Sequence, residues 1–435
     1  MLDRKMGRAT VLGLDETERG NARKETLVVR YANYRRAILA GLFTLFFAVF
    51  SPGEEAATKT DSEVGPANIL IIANDAYPHS VEIANYYAQR RGISTERILS
   101  LTLASTEDID RDCFDMKIAA PVRAYLEGHA EIRCIVTVYG VPLNIWDPQP
   151  IQANISILKQ QLEGIKSGTF QDGAGFIEEQ IGTLKAEVEA SAKRAASVDS
   201  ELALIGREHV LEGYVESPFL TTLGRPQGCY WVARLDATSP EDVRAMIDGA
   251  LEAEAGGLKG IAYFDARNLA GSDDYSRADE SIRRAAQFAR KFALPTVLDD
   301  KPELFGVGAC PEACVYWGWY SLAKYVDSFQ FVPGAVAVHI ASGECNSLRE
   351  GTYWCRNLIA NGAAVTMGPT NEPYLEAFPE ADAFLGRLFE GECVGAAYFG
   401  TERWLSWRMV LLGDPLYRPF AAREEVKTKG TGNNP

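Results

Sequence analysis

Residues 68–91 read NILIIANDAYPHSVEIANYYAQRR, and this stretch decides the class of fold. Its first six residues are almost continuously apolar, too short for a buried helix and without the alternation of a half-exposed strand. Such a run suits a strand covered on both faces, as in a parallel sheet. A turn-rich segment follows, and then Ser80–Arg91 reads as an amphipathic helix. The unit repeats along the chain. Residues 134–139 (CIVTVY), 230–235 (YWVARL), 260–264 (GIAYF), 335–341 (AVAVHIA) and 363–367 (AAVTM) are further short apolar runs. Helical stretches separate most of them: residues 121–128, Pro240–Gly256 with Pro at its start and Gly at its end, and residues 281–292. Strand–helix alternation predicts an open α/β sheet, mostly parallel, with helices on both faces.

One segment departs from that period. Ile151, Ile155, Leu158, Leu162 and Ile165 recur at 4-3-4-3 spacing, and Ile177, Ile181, Leu184 and Val188 at 4-3-4. These are two apolar seams joined by the turn-rich residues 167–175, which predicts an antiparallel helical hairpin inserted into the α/β unit. The expected organisation is therefore a first α/β subdomain over 67–150, the hairpin over 151–197, a second α/β subdomain over 198–422 and a disordered tail over 423–435.

The 435 residues hold 44 Lys+Arg against 59 Asp+Glu, a net charge of −15, with 47% hydrophobic content. That composition is globular, and its acidity argues against nucleic acid as a partner. The average conceals a split. Residues 1–36 hold nine basic and five acidic side chains, so the other 399 carry a net −19. After Arg35-Arg36, residues 37–50 (AILAGLFTLFFAVF) are fourteen uncharged positions, about 21 Å of helix against the roughly 30 Å of a bilayer core. A cationic lead and a short apolar run read as a secretory signal over 37–53, with an uncleaved signal anchor as the second reading and 54–66 as a linker. Val28-Val29 is a natural alternative start, so we expect the leader's first 27 residues to be mis-assigned. The expected location is exported, periplasmic or extracellular, with membrane contact only through residues 37–50.

All eight Cys lie beyond that segment. Cys134 and Cys229 read as small buried hydrophobes in strands. Cys310 and Cys314 form the only close pair, compatible with a local disulfide, with two thiols or, less well given four His, with a metal. No cofactor motif of the phosphate-loop, zincin or nucleophile-elbow kind occurs, and none is expected to bind.

Ligands of open α/β sheets sit past the carboxyl ends of the strands. The residues there are Asn74 and Asp75, residues 140–142, Asp236 with Arg234 just inside, Asp265, Ser342 to Cys345, and residues 369–372 with Glu372 last. Either these converge on a pocket, or they are turn and cap residues. His339, within AVAVHIAS, reads as a core histidine more readily than as a base, and His79 as a solvated loop residue. Five of seven Trp fall between Trp317 and Trp407, a cluster suited to core packing or to stacking on a sugar or peptide.

Taken together, the opening stretch with IVTVYGVPL, SVDSELALI, RLDATSPEDVRAMIDGALEAE, VYWGWYS, FVPGAVAVHIAS, TMGPTNEPYLEAFP and LLGDPLYRPF resembles an uncharacterised family of exported bacterial proteins, over about residues 67–420. More distantly the layout is similar to gingipain-type cysteine peptidases, which implies a caspase-like fold. The resemblance would put the family's histidine at Trp319 and its cysteine near Ser342 or Cys345. An indole offers one N–H donor and no base, so the expected dyad is missing. Two readings follow: a catalytically silent domain binding a peptide, glycan or envelope protein, and a hydrolase-like enzyme rebuilt around Asp236, Asp265 and Ser342 with Arg234 orienting an anion.

Overall fold

The computed structural model describes residues 64–146, 148–166 and 174–421. The basic leader, the apolar segment 37–53 and the tail lie outside the described residues. Residues 69–72 of the first strand, β1 (Ile69–Asn74), divide their side chains between two cores. Leu70 and Ile72 enter one hydrophobic cluster, Ile69 and Ile71 another, and all four are fully buried. A side chain pointing to alternate faces of a strand meets hydrocarbon either way only if both faces are covered. That is why the sequence shows a continuous apolar run where a half-exposed strand would alternate. Each such Ile or Leu contributes roughly 1.5–3 kcal/mol relative to exposure.

Ten strands form the sheet: β1, β2 (Ile98–Leu101), β3 (Cys134–Val138), β4 (Trp231–Leu235), β5 (Ile261–Ala266), β6 (Thr296–Asp300), β7 (Cys310–Gly318), β8 (Phe329–His339), β9 (Thr366–Pro369) and β10 (Met409–Leu412). Six run in the order β9-β10-β4-β3-β1-β2 and four in the order β6-β5-β7-β8. The β1–β2, β1–β3 and β3–β4 pairs are parallel, as is every pair of the four-stranded half, while β9 and β10 are antiparallel. A parallel bridge between Val336 and Val365 joins the halves. Among the described residues the α-helices of five or more residues are α1 (Ser80–Arg91), α2 (Ala120–Glu127), α3 (Gln149–Lys166), α4 (Ala174–Lys193), α5 (Val198–Leu202), α6 (Pro240–Gly256), α7 (Asp274–Lys291), α8 (Trp354–Ala360), α9 (Ala381–Phe389) and α10 (Val394–Phe399). Residues of α1 and α8 enter one cluster and those of α2, α7 and α9 the other, so both faces of the sheet are clad. Among the described residues no helix is long and apolar enough to cross a membrane.

The mostly parallel α/β sheet with an inserted hairpin is therefore the fold. Differences from the sequence reading have local causes. The strand β7 was not foreseen because Pro311 and Glu312 interrupt its apolar pattern; register shifts on both sides absorb them. Cys310 and Cys314 lie buried in that strand and are not bridged; the disulfide joins Cys345 to Cys355. Cys134 and Cys229 are buried thiols, as expected. The helix α7 starts seven residues before position 281, where Asp273 caps it by accepting the Ser276 N–H at 2.8 Å.

The hairpin of α3 and α4 follows its seams. Ile155 and Ile181 are buried and the other seam positions half-buried, while most residues between them are exposed. Its two ends meet, because Asn144–Ile145 pairs antiparallel with Ala196–Ser197. A neck closed in this way makes the hairpin a side branch of the core. Replacing residues 151–191 by a short Gly/Ser link should leave a cooperative melt with Tm changed by less than about 5 °C, on the order of 1–2 kcal/mol. Loss of the folded state in circular dichroism would show that the hairpin belongs to the core.

Candidate functional site

An arginine inside WVARL, a buried strand, demands partners, because an unpaired interior charge is costly. Arg234 has no exposed surface and all five of its N–H donors are engaged. Nε and Nη2 bind the Asp199 carboxylate at 2.9 and 2.7 Å, a bidentate fork. The remaining donors reach the Val141 and Pro142 carbonyls at 2.7 and 2.8 Å and Asp236 Oδ2 at 3.3 Å. Asp199 is presented by α5, whose N-cap Ser197 accepts the Ser200 N–H. Asp236 in turn accepts from Arg349 Nη2 at 2.8 Å, and Arg349 Nε donates to Tyr77 Oη at 3.2 Å. The Arg349 guanidinium also lies 4.4 Å from the Tyr139 ring centre. Two residues before Arg349, Ser347 donates to Glu107 at 2.5 Å. Burial holds the Glu107 carboxyl above its usual range. Loops after β1, β2, β3, β4 and β8 thus meet in a closed network of hydrogen bonds and ion pairs.

Asn74 is part of the same clamp. Its amide donates to the Ala104 and Gly140 carbonyls at 3.0 and 2.8 Å and accepts the Leu103 N–H at 3.1 Å. Gly140, at φ 86°, has no room for a side chain, since a Cβ would sit 2.3 Å from the Tyr77 ring. Asp75 is exposed, and His79 pairs with Glu82 at 3.1 Å on the surface.

The second half places its candidates apart from these. Asp265, at the end of β5, is buried; Oδ2 accepts the Phe305 N–H at 3.3 Å and Oδ1 has no partner. Burial pushes its carboxyl up to about 7. It faces Gly318, where a Cβ would stand 2.5 Å from Asp265 Cβ and 2.6 Å from Tyr316 Oη. Tyr316 meets His339 Nδ1 at 2.9 Å, while His339 Nε2 accepts the Ser321 N–H at 3.1 Å. The neutral ring therefore carries its proton on Nδ1 and donates to the tyrosine. Stacked 3.5 Å from Trp354, with burial holding it well below the usual histidine range, His339 is a core histidine. Trp319 donates Nε1–H to Asp279 at 2.8 Å. Cys345 is locked to Cys355, and the neighbouring Glu344, raised to about 7 by burial, accepts the Ala323 and Trp354 N–H groups. Ser342 donates to the exposed Glu372 at 2.8 Å. No hydrogen bond links Asp236, Asp265 and Ser342 to one another.

The open space lies elsewhere on this edge. A cavity of about 350 Å³ opens past Ile340, with Phe378 and Leu375 on its floor and Arg277, Glu376 and Arg403 on its rim. Near it, the exposed Tyr374 and Tyr214 and the half-buried Trp404 and Trp407 form an aromatic group with centroid distances of 4.5–6.2 Å. The late aromatic cluster pointed to this group, although Trp317, Trp319 and Trp354 belong to the core. Asp199, Arg349 and Glu107 were missed. SVDSELALI contains Asp199, but no spacing links it to a strand residue 35 positions later. Among the described residues no cluster of His, Cys, Asp or Glu has the makings of a metal site.

No family model matches the chain, and no curated protein does. Two solved structures are similar. One is a complex of the pro- and mature domains of RgpB from Porphyromonas gingivalis, at 10% identity and a TM-score of 0.43, covering 81% of this chain and 80% of that one. The other is described as a protease, at 11% identity and a TM-score of 0.42, covering 83% and 80%.

Two outcomes follow from the buried charges. Arg234→Met leaves the buried Asp199 without its cation and Asp236 with Arg349 alone, and should cost about 3–5 kcal/mol in denaturant melts; a loss below about 1 kcal/mol would contradict the network's role. Asp265 binds its proton more tightly folded than unfolded, so its contribution to stability falls as pH rises from about 4 to about 7. Asp265→Asn should therefore gain stability over the parent at pH 8, by up to on the order of 4 kcal/mol, and little at pH 4. An equal difference at both pH values would refute the assignment.

Proposed function

We propose that this chain is an exported, catalytically silent α/β domain of caspase-like outline that binds a peptide segment of an envelope partner. One observation carries the reading. The positions where the resemblance would put a peptidase dyad lack its groups: the Trp319 N–H is held by Asp279, the Cys345 sulfur is in a disulfide, and Ser342, the other candidate for the second position, carries no thiol. A disulfide sulfur is no thiolate and an indole no base, so neither step of thiol acyl transfer is available. The cavity past Ile340 supports a peptide as occupant. Its floor is apolar and its rim carries both signs of charge, which suits an extended segment with mixed side chains better than a polyhydroxyl sugar. Export is supported by the charge pattern of residues 28–50 and by the Cys345–Cys355 bond, which persists in an oxidising compartment.

A rebuilt hydrolase is the second reading, favoured by the exposed Ser342–Glu372 pair. One experiment separates them. The intact protein is incubated with a randomised peptide pool, and retained and cleaved peptides are read by mass spectrometry. We expect retention without cleavage, and at least tenfold weaker retention in Ala383→Trp, which fills the cavity from an exposed position and so spares the core. Peptide cleavage, or labelling of Ser342 by a serine-reactive fluorophosphonate, would replace the silent domain with the hydrolase.

A further inference from the structure

Arg91, Arg234, Arg283 and Arg349 are each held by at least one buried carboxylate. Arg408, just before β10, is not. It is half-buried, its Nη2 donates to the Ala192 carbonyl at 3.2 Å, its Nε is buried with no partner, and among the described residues no carboxylate comes within 4.0 Å. A desolvated guanidinium in this state lacks the compensation that the other four have. Desolvation pulls it below the ordinary arginine range, and Glu372 opposes that pull from further away.

Its surroundings supply the rest of a recognition site. The guanidinium lies 5.1 Å from the Trp407 ring centre, and Trp407 stacks near-parallel to Tyr374, 6.2 Å away at 15°. Tyr374 is 59% exposed. The indole N–H of Trp407 is a second buried donor with no acceptor. The Thr370 N–H donates to the Arg408 carbonyl at 2.8 Å, which fixes the arginine beside the loop that leads through Glu372 and Tyr374 to the cavity floor at Leu375.

We propose that Arg408, Trp407 and Tyr374 form a subsite for a carboxylate on a peptide, with an aromatic or apolar group next to it. The inference takes the peptide from the preceding reading and adds what this end of the peptide must carry. The chemistry selects the ligand. A half-buried guanidinium with no carboxylate partner among the described residues fits an anion, its single charge fits one carboxylate, and the acidic chain disfavours a polyanion. The aromatic faces offer stacking to an apolar neighbour.

The test uses the whole protein with N-acetyl-tyrosine and N-acetyl-tyrosinamide, which share a ring and differ in the carboxylate, and with D-glucuronate, titrated by ligand-observed NMR. The acid should bind about tenfold more tightly than the amide, as one charge-assisted pair allows. Arg408→Gln should abolish that preference, and Trp407→Phe should reduce it while keeping the packing. Glu372→Gln should preserve or enlarge it. Equal binding of acid and amide, an undiminished preference in Arg408→Gln, or tighter binding of glucuronate would overturn the subsite. Loss of the acid preference while the peptide pool is still retained, and still lost in Ala383→Trp, removes the subsite alone. An acid preference without pool retention supports the Arg408 site and removes the wider peptide-binding reading.

Discussion

The carboxyl edge of the six-stranded half depends on one buried guanidinium. Arg234 is the point where a strand end, a capped helix and two loop carbonyls are tied together, and it has no donor left over. A charge buried that deeply is tolerated only when the geometry around it is complete. Its partners are thereby fixed in place: Asp199 positions α5, and Asp236 carries the connection on to Arg349 and the tyrosines. What looks from the strand ends like an assembled active site is a structural keystone. An arginine meant to orient a substrate needs an unoccupied fork, and this one has none.

The sequence was most informative where a single period was at work. Strand–helix alternation and the two apolar seams located most of the sheet and the hairpin, because each rests on local spacing. It failed where two separated segments had to meet. Arg234 and Asp236 were nominated from their place after a strand, yet Asp199, 35 residues earlier, and Arg349, 113 residues later, carry no signal that links them. Cysteine spacing left the pairing open: positions 310 and 314, close in sequence, share a strand as two thiols, one of the readings offered, whereas 345 and 355 are brought together by a loop and a helix. The strand β7 was hidden by two residues that its bulges accommodate.

Buried acids differ according to their partners. Glu201, with His209, Arg111 and Ser406 around it, is held down to about 2, whereas Asp265, Glu344 and Glu402 form no ion pair among the described residues and burial raises them to about 7, 7 and 8. The contrast is one of compensation, since all four are buried. Perturbed carboxyls often mark active sites. Here their hydrogen bonds run chiefly to backbone N–H groups, and they serve the loops that bear them.

The disulfide has a meaning beyond removing a thiol from chemistry. It closes a ring across a separation of ten residues, and that ring contains Ser347 and Arg349, which reach over to Glu107 and Asp236 in the other half of the molecule. Closing a loop of this size in the unfolded chain is worth roughly 3 kcal/mol of entropy. The bond therefore acts as a covalent brace on a finger that one half of the sheet lays across the other. The hydrophobic clusters on the two faces of the sheet span both halves, so the brace adds a covalent tie to an alignment that packing already sets.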